Sequence, residues 1–161
     1  MPHNTDGKLG VNLTEVISVT ADSRFDIGVQ VPASDGADYV YTRAASTVAA
    51  FDVVSILVDG TVVPLTTENA SVGSAIGFAQ TAIASASFGW VALRGPNLKC
   101  NLLTDCADNV MLFTTTTGGK LDDATVTLGL VEGVMSQTTI SNATAVTCIC
   151  AYPHISRHLM A

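Results

Sequence analysis

The residues of this chain that are best suited to chemistry are its four cysteines, which fall as Cys100-x5-Cys106 and Cys148-x-Cys150. Structural zinc sites separate the two ligands of a pair by about two to four residues, so the first pair is too wide and the second too tight. Residues i and i+2 of a strand share a face, which makes a disulfide within the second pair geometrically poor. We therefore predict buried thiols, with a disulfide or a metal between the two pairs as the alternative.

Histidine and aspartate offer two further groupings. His154 and His158 share a face only on a helix, and Pro153 precedes them, so we interpret them as part of a solvated tail. Asp122 and Asp123 can ligate a cation, but no further acidic residue recurs at the spacing of an EF-hand. A turn held by side-chain hydrogen bonds is the better interpretation of this pair.

Other catalytic patterns are absent from the sequence. The run Gly118-Gly119-Lys120 lacks the upstream glycine and the following Ser or Thr of a P-loop. Neither G-x-S-x-G nor H-E-x-x-H occurs. We therefore predict that the chain is not an enzyme and has no catalytic residues, no cofactor and no metal site.

Composition and charge narrow the class of partner. Of 161 residues, 48% are hydrophobic and 13% are charged, and the formal net charge is −7. So few charges leave little polar surface, and we expect the protein to cover apolar surface with copies of itself or with a larger scaffold. The seven basic residues are scattered, which argues against a nucleic-acid partner. No apolar stretch approaches the roughly 20 residues of a membrane helix, and the polar start is unlike a signal peptide, so we expect no membrane partner and synthesis in a cytoplasm.

Residues 73–96 form the stretch around which the rest of the chain is organised. Its apolar runs 75–80 and 88–93 are bounded by Gly, Ser and Pro, which predicts two buried strands. The second run is apolar on both faces, so we expect it to be covered on both sides. Phe88, Trp90 and Leu93 are its predicted core anchors.

The other segments predict short strands separated by turns. Asp59 and Gly60 favour a type I′ hairpin turn. Residues 145–152 predict a closing strand that ends at Pro153. Segments 44–50 and 81–87, which are rich in Ala and Ser, could each form one helical turn but little more.

These patterns predict an all-β fold. We expect a small β-barrel, or a β-tulip or sandwich, over residues 37–161 as a single domain. Residues 1–36 are more polar and lack a strong period, so we predict that they form an extended N-terminal arm, with a loosely attached pair of edge strands as the alternative.

Three phrases follow one another along the chain: DVVSILVDGTVVPL, then SAIGFAQTAIASASFGWVALRGP, then TTTTGGKLDD. A closing apolar strand that ends AYP comes after them. In this order they resemble the capsid decoration (cement) proteins of tailed bacteriophages, over residues 39–153. The resemblance implies homotrimers on the outer capsid surface of the virion, where they bridge neighbouring major capsid subunits and stabilise the head. It implies no catalytic residues.

The resemblance also gives the N-terminal arm a role, because such arms often reach across the capsid surface. We expect apolar contacts from this arm to the capsid or to a neighbouring copy. The predicted contact residues are Val11, Leu13, Val16 and Ile17.

Two other classes of protein stay open. A β module of a virion surface or fibre that binds carbohydrate or a host receptor would show exposed aromatic side chains, but only 6% of the residues are aromatic. An enzyme of the cupin or hydrolase kind requires a histidine cluster or a nucleophile motif that the sequence lacks.

Overall fold

The computed structural model describes residues 11–18, 23–126 and 129–157, and these form ten β-strands and no helix. The predicted all-β class is confirmed. Segments 44–50 and 81–87, each of which could have formed a helical turn, are instead joined by an isolated β-bridge between Val48 and Ile83. The strands are β1 (Gln30–Pro32), β2 (Asp38–Ala44), β3 (Val53–Ile56), β4 (Thr61–Pro64), β5 (Ala75–Ala79), β6 (Phe88–Leu102), β7 (Leu112–Thr114), β8 (Lys120–Asp122), β9 (Leu130–Ser136) and β10 (Thr144–Ser156).

The ten strands belong to one sheet, and β6 is central to it because each half of β6 completes a closed circuit of strand pairs. The first half pairs with β2 and β5, and β4 and β3 complete that circuit. The second half pairs with β10 and β8, and β9 and β7 complete the other. We call these circuits the first ring and the second ring.

The interior of the first ring is filled by small aliphatic side chains, to which each of its five strands contributes. They include Val40, Val54, Val62, Ala79 and Val91. Gly77 lies among them, and a Cβ added there would approach Cγ1 of Val91 to 2.3 Å. Five strands enclose little space, which explains why residues of this size fill the ring.

The main core lies in the second ring and continues over one face of the first. Its members from the five strands of the second ring include Leu102, Leu112, Leu121, Val131 and Cys148. Trp90 belongs to this core, whereas its neighbour Val91 belongs to the interior of the first ring. The first half of β6 is therefore covered on both faces, in agreement with the sequence analysis.

β6 runs on through Pro96, where the sequence predicted that the strand would end. Pro96 and Asn97 have no partners in β10, because the register between the two strands shifts at this point. Asn97 has a φ of +58°. Proline has no backbone N–H to donate to the sheet. A residue in a β-bulge is left out of the ladder of hydrogen bonds, so a proline there costs no hydrogen bond. The bulge therefore allows the strand predicted over residues 88–93 to continue to Leu102.

The predicted hairpin between β3 and β4 is confirmed, but its turn differs from the prediction. A type I′ turn requires a positive φ at both central residues, and of the pair Asp59-Gly60 only Gly60 has one, at +75°. The Gly60 N–H donates to the Leu57 carbonyl at 2.9 Å. The Asp59 carboxylate accepts from the backbone N–H of Thr61 at 3.0 Å, which stabilises the longer turn.

Candidate interaction surface

Five apolar residues on β9, β10 and the loop before β7 form a continuous surface, in which four residues are exposed and Val134 is half-buried. They line two adjoining open depressions that share Gly133, Val134 and Met135. The exposed fraction is 55% for Met111 and 46% for both Met135 and Ile149. We call this the β9–β10 surface and define it by Met111, Val134, Met135, Ile149 and Ala151.

Strand periodicity explains why these side chains point outward. In β10, Cys148 and Cys150 point into the core, so Ile149 and Ala151 point to the opposite face. The sheet then places Ile149 directly beside Met135, its partner on β9. Such cross-strand neighbours form one contact area, and a cluster of exposed apolar residues is typical of an interaction site.

A β-bulge at Tyr152 ends this surface and reverses the alternation of β10. Ala151 and Tyr152 are both exposed, after which Pro153 and Ile155 are buried. Tyr152 has a φ of +48°, in the left-handed region that is unusual for a residue with a side chain. The closing strand therefore continues past Pro153 to Ser156, and the predicted end at this proline is wrong for the same physical reason as at Pro96.

Tyr152 is fixed from two sides although its ring is exposed. Its hydroxyl donates to Asp38 Oδ2 at 2.7 Å, and Arg94 Nε donates to the same oxygen at 2.5 Å. The Arg94 guanidinium carbon also lies 5.9 Å from the centre of the Tyr152 ring. Burial by itself would raise the pKa of Asp38, but the hydrogen bonds from Arg94 and Tyr152 outweigh it, so the pKa lies below its usual value.

The predicted contact residues of the arm lie against the body of the protein. Leu13 and Ile17 are buried, and Ile17 forms a bridge with Phe88 at the start of β6. Val11 packs on the main core and Val16 on the interior cluster of the first ring. The described part of the arm thus contributes to the fold, and the buried Leu13 and Ile17 have little side-chain surface to offer a partner. Residues 1–10 and 19–22 of the arm lie outside the described residues.

The three predicted core anchors lie in different surroundings. Trp90 is 3% exposed and belongs to the main core, and Leu93 is buried in the first ring. Phe88 is half-buried, with its ring stacked at 6.0 Å on that of Tyr41. It is therefore at the edge of the core rather than inside it.

The four cysteines are buried and none is in a disulfide, as the spacings favoured. Burial raises the pKa of the Cys106 thiol to about 11 and that of the Cys150 thiol to about 12. The pKa of Cys148 is raised first by its hydrogen bond with Cys100 and then by burial. Thiols in this state are protonated at neutral pH and therefore poor nucleophiles.

Cys106 and the Asp122-Asp123 pair are the residues of the described ranges that could surround a cation. Their ligand atoms lie within 4.8 Å of one another. The carboxylates are already used in the turn that the sequence predicted, because Asp122 accepts from the N–H of Asp123 at 2.9 Å and Asp123 from the N–H of Ala107 at 3.0 Å. The bond from Ala107 to Asp123 holds the loop after β6 against the end of β8.

The sequence patterns did not predict the β9–β10 surface, although part of the signal was present. Since Cys148 and Cys150 were expected to be buried on one face, Ile149 had to lie on the other. Its neighbours Met135 on β9 and Met111 in the loop before β7 come from other parts of the chain, and their position depends on strand pairing that no local pattern specifies.

Comparison with known proteins gives no relative: no family model, no curated protein and no solved structure matches this chain. Within the described ranges, no helix has the length and apolar character needed to cross a membrane.

Proposed function

We propose that this chain is a structural protein of a bacteriophage particle. It binds the outer surface of the assembled capsid, joins neighbouring major capsid subunits and thereby stabilises the head. The resemblance to decoration proteins gives the class of partner. The observation that supports the proposal most strongly is the β9–β10 surface, on which Met111, Met135 and Ile149 are exposed together.

Binding of this kind requires no catalytic chemistry, since a protein that binds only the assembled shell stabilises that shell by mass action. Many copies on a symmetric lattice add their individual contributions. A homotrimer is part of the proposal, and sedimentation of the purified chain tests it independently of the capsid.

Electron microscopy of particles with and without the protein is the primary test, and added density on the outer capsid surface is the expected result.

A binding assay with capsids that lack the protein then tests the β9–β10 surface. We expect Ile149→Asp to weaken binding about tenfold or more, because a charge in the centre of an apolar contact must be desolvated.

Val58→Asp is the matched control, since Val58 is a fully exposed apolar residue in the hairpin between β3 and β4. It introduces the same charge outside the β9–β10 surface, and we expect it to bind like the parent chain. Circular dichroism shows whether both variants fold. Equal binding by a folded Ile149→Asp variant and the parent would contradict the assignment of this surface.

One observation favours the alternative of a carbohydrate-binding module, namely the exposed ring of Tyr152. The single tryptophan gives this alternative no support, because Trp90 is buried in the main core. Saccharides that quench tyrosine fluorescence in the parent chain but not in Tyr152→Ala would favour the module over the capsid protein.

A further inference from the structure

Asn101 of β6 and Lys120 of β8 are direct partners in the parallel pairing of these strands. The next pair, Leu102 and Leu121, is fully buried in the main core, so Asn101 and Lys120 lie together on the opposite face. Neighbouring strands are about 4.8 Å apart, which is less than the reach of a lysine side chain. The Lys120 side chain is therefore long enough for its amine to reach the carboxamide of Asn101.

Asp52 completes the group. It is 7% exposed, and its Oδ1 accepts from Nδ2 of Asn101 at 3.1 Å. A second bond, from the N–H of Ala49 to Oδ2 at 2.8 Å, fixes the carboxyl group. Burial raises the pKa of Asp52 above its usual value, and the hydrogen bonds from Ala49 and Asn101 and, to a smaller extent, the positive charge of Lys120 oppose this shift in part. Asp52 thus has a raised affinity for a proton and lies against the nitrogen of the carboxamide.

Gly119 holds the start of β8 against this carboxyl group. A Cβ at this position would lie 2.4 Å from Cγ of Asp52, so only glycine fits. Its carbonyl accepts from the N–H of Val53 at 2.9 Å, and its N–H donates to the carbonyl of Leu65 at 2.9 Å. The Gly-Gly-Lys run, which is not a P-loop, therefore places Lys120 beside Asp52 and Asn101.

We propose that Lys120 and Asn101 form an intramolecular isopeptide bond, with Asp52 as the group that transfers the proton. Asp52 takes a proton from the Lys120 ammonium, and the amine so formed attacks Cγ of Asn101, where a new C–N bond forms while the bond from Cγ to Nδ2 breaks. Asp52 gives that proton to Nδ2, which leaves as ammonia, and the proton released from the attacking nitrogen converts the ammonia to ammonium. Overall, a lysine ammonium and a carboxamide yield a secondary amide and an ammonium ion, with no oxidant or other reactant.

Lysine and carboxamide are usually unreactive toward each other, because they rarely meet in a suitable geometry and because the leaving nitrogen must first receive a proton. The arrangement of these residues addresses both obstacles. The register of β6 and β8 keeps the two groups adjacent, which replaces an encounter in solution. The buried carboxyl group supplies the proton at the leaving nitrogen, where a hydrogen bond of 3.1 Å already exists. The resulting cross-link ties the parallel pair in the second ring and is independent of any capsid binding.

Mass spectrometry of the purified full chain tests the proposal directly. Trypsin does not cleave after an acylated lysine, so the cross-linked chain is expected to yield one peptide over residues 100–157, lighter than its sequence by one ammonia. An unmodified chain yields separate peptides 100–120 and 121–157 at their sequence masses, and that result overturns the proposal.

Variants separate this reaction from other losses of ammonia. Lys120→Arg retains the charge but lacks the amine nucleophile. Asp52→Asn retains the shape of the side chain but lacks the acid. Neither variant is expected to lose the mass of one ammonia. Lys99→Arg, on the same strand as Asn101, is the control, and it should lose the mass of one ammonia as the parent chain does. A loss that persists in Lys120→Arg indicates a succinimide at an asparagine and contradicts the cross-link, even if Asp52→Asn does not fold.

Discussion

Tyr152 illustrates how single residues shape the candidate surface. Its left-handed backbone turns two consecutive side chains outward, and this ends the apolar face of β10. A non-glycine residue in this conformation is retained when its surroundings compensate for the strain. The hydroxyl bond to Asp38 and the adjacent guanidinium of Arg94 provide that compensation.

The lowered pKa of Asp38 makes this contact dependent on pH. A carboxyl group whose pKa is lower in the folded state stabilises the fold above its usual value of 3.8, and that contribution is lost as the pH falls through the folded-state pKa. We therefore expect Asp38→Asn to be less stable than the parent at neutral pH. The difference should shrink toward zero in acid below pH 3.8.

Urea unfolding of both chains across this pH range measures the difference. Asp26→Asn, at an exposed position, controls for the loss of one negative charge. A stability difference that is the same at every pH would show that the ionisation of Asp38 does not hold Tyr152 in place.

At the scale of elements, the sequence specified where strands occur better than where they end. The apolar runs that became β5 and the first half of β6 were predictable because strands buried on both faces need side chains such as Trp90 and Val91. The ends at Pro96 and Pro153 were not, because a proline is compatible with a strand at a bulge. A bulge depends on the partner strand, β10 in one case and β9 in the other, and no local pattern contains that information.

The same distinction applies to the candidate surface and to the Lys120 group. The alternation around Ile149 was readable from the two adjacent cysteines, but its contact with Met135 depends on a pairing between strands. Asn101 and Lys120 are brought together by a parallel pair that arises only when the second ring closes. The sequence thus contained the residues of both sites but not their proximity.

The narrow interior of the first ring allows a direct test at this scale. Gly77→Ala places a methyl group 2.3 Å from Cγ1 of Val91, and a β-branched neighbour in a filled ring has little freedom to move. We expect a loss of about 1–3 kcal/mol in the free energy of unfolding, as overpacking usually costs. Urea midpoints of the parent and the variant measure it.

A second substitution makes the Gly77 test specific. In Gly77→Ala, the further change Val91→Ala removes the clashing methyl group, so the double variant should be more stable than the sum of the two single losses predicts. Strictly additive losses would show that the two residues do not share one confined space.

At the scale of the whole molecule, the N-terminal segment connects the two clusters of the interior. Leu13 belongs to the main core, and Val16 packs on the cluster inside the first ring. Phe25 adds its ring to the aromatic group at 5.3 Å from both Tyr41 and Trp90. A segment predicted to contact a partner is therefore also part of the protein's own core.

Removing residues 1–36 should consequently destabilise the body and not merely weaken its attachment to a capsid. The single change Leu13→Ala separates the two effects, because Leu13 is 4% exposed. Truncating a buried leucine costs about 2–5 kcal/mol, so we expect a clearly lower unfolding midpoint in urea. Val11→Ala, at a half-buried position, should cost less. If Leu13→Ala unfolds like the parent but decorates capsids poorly, the segment acts toward the partner and its packing against the body is incidental.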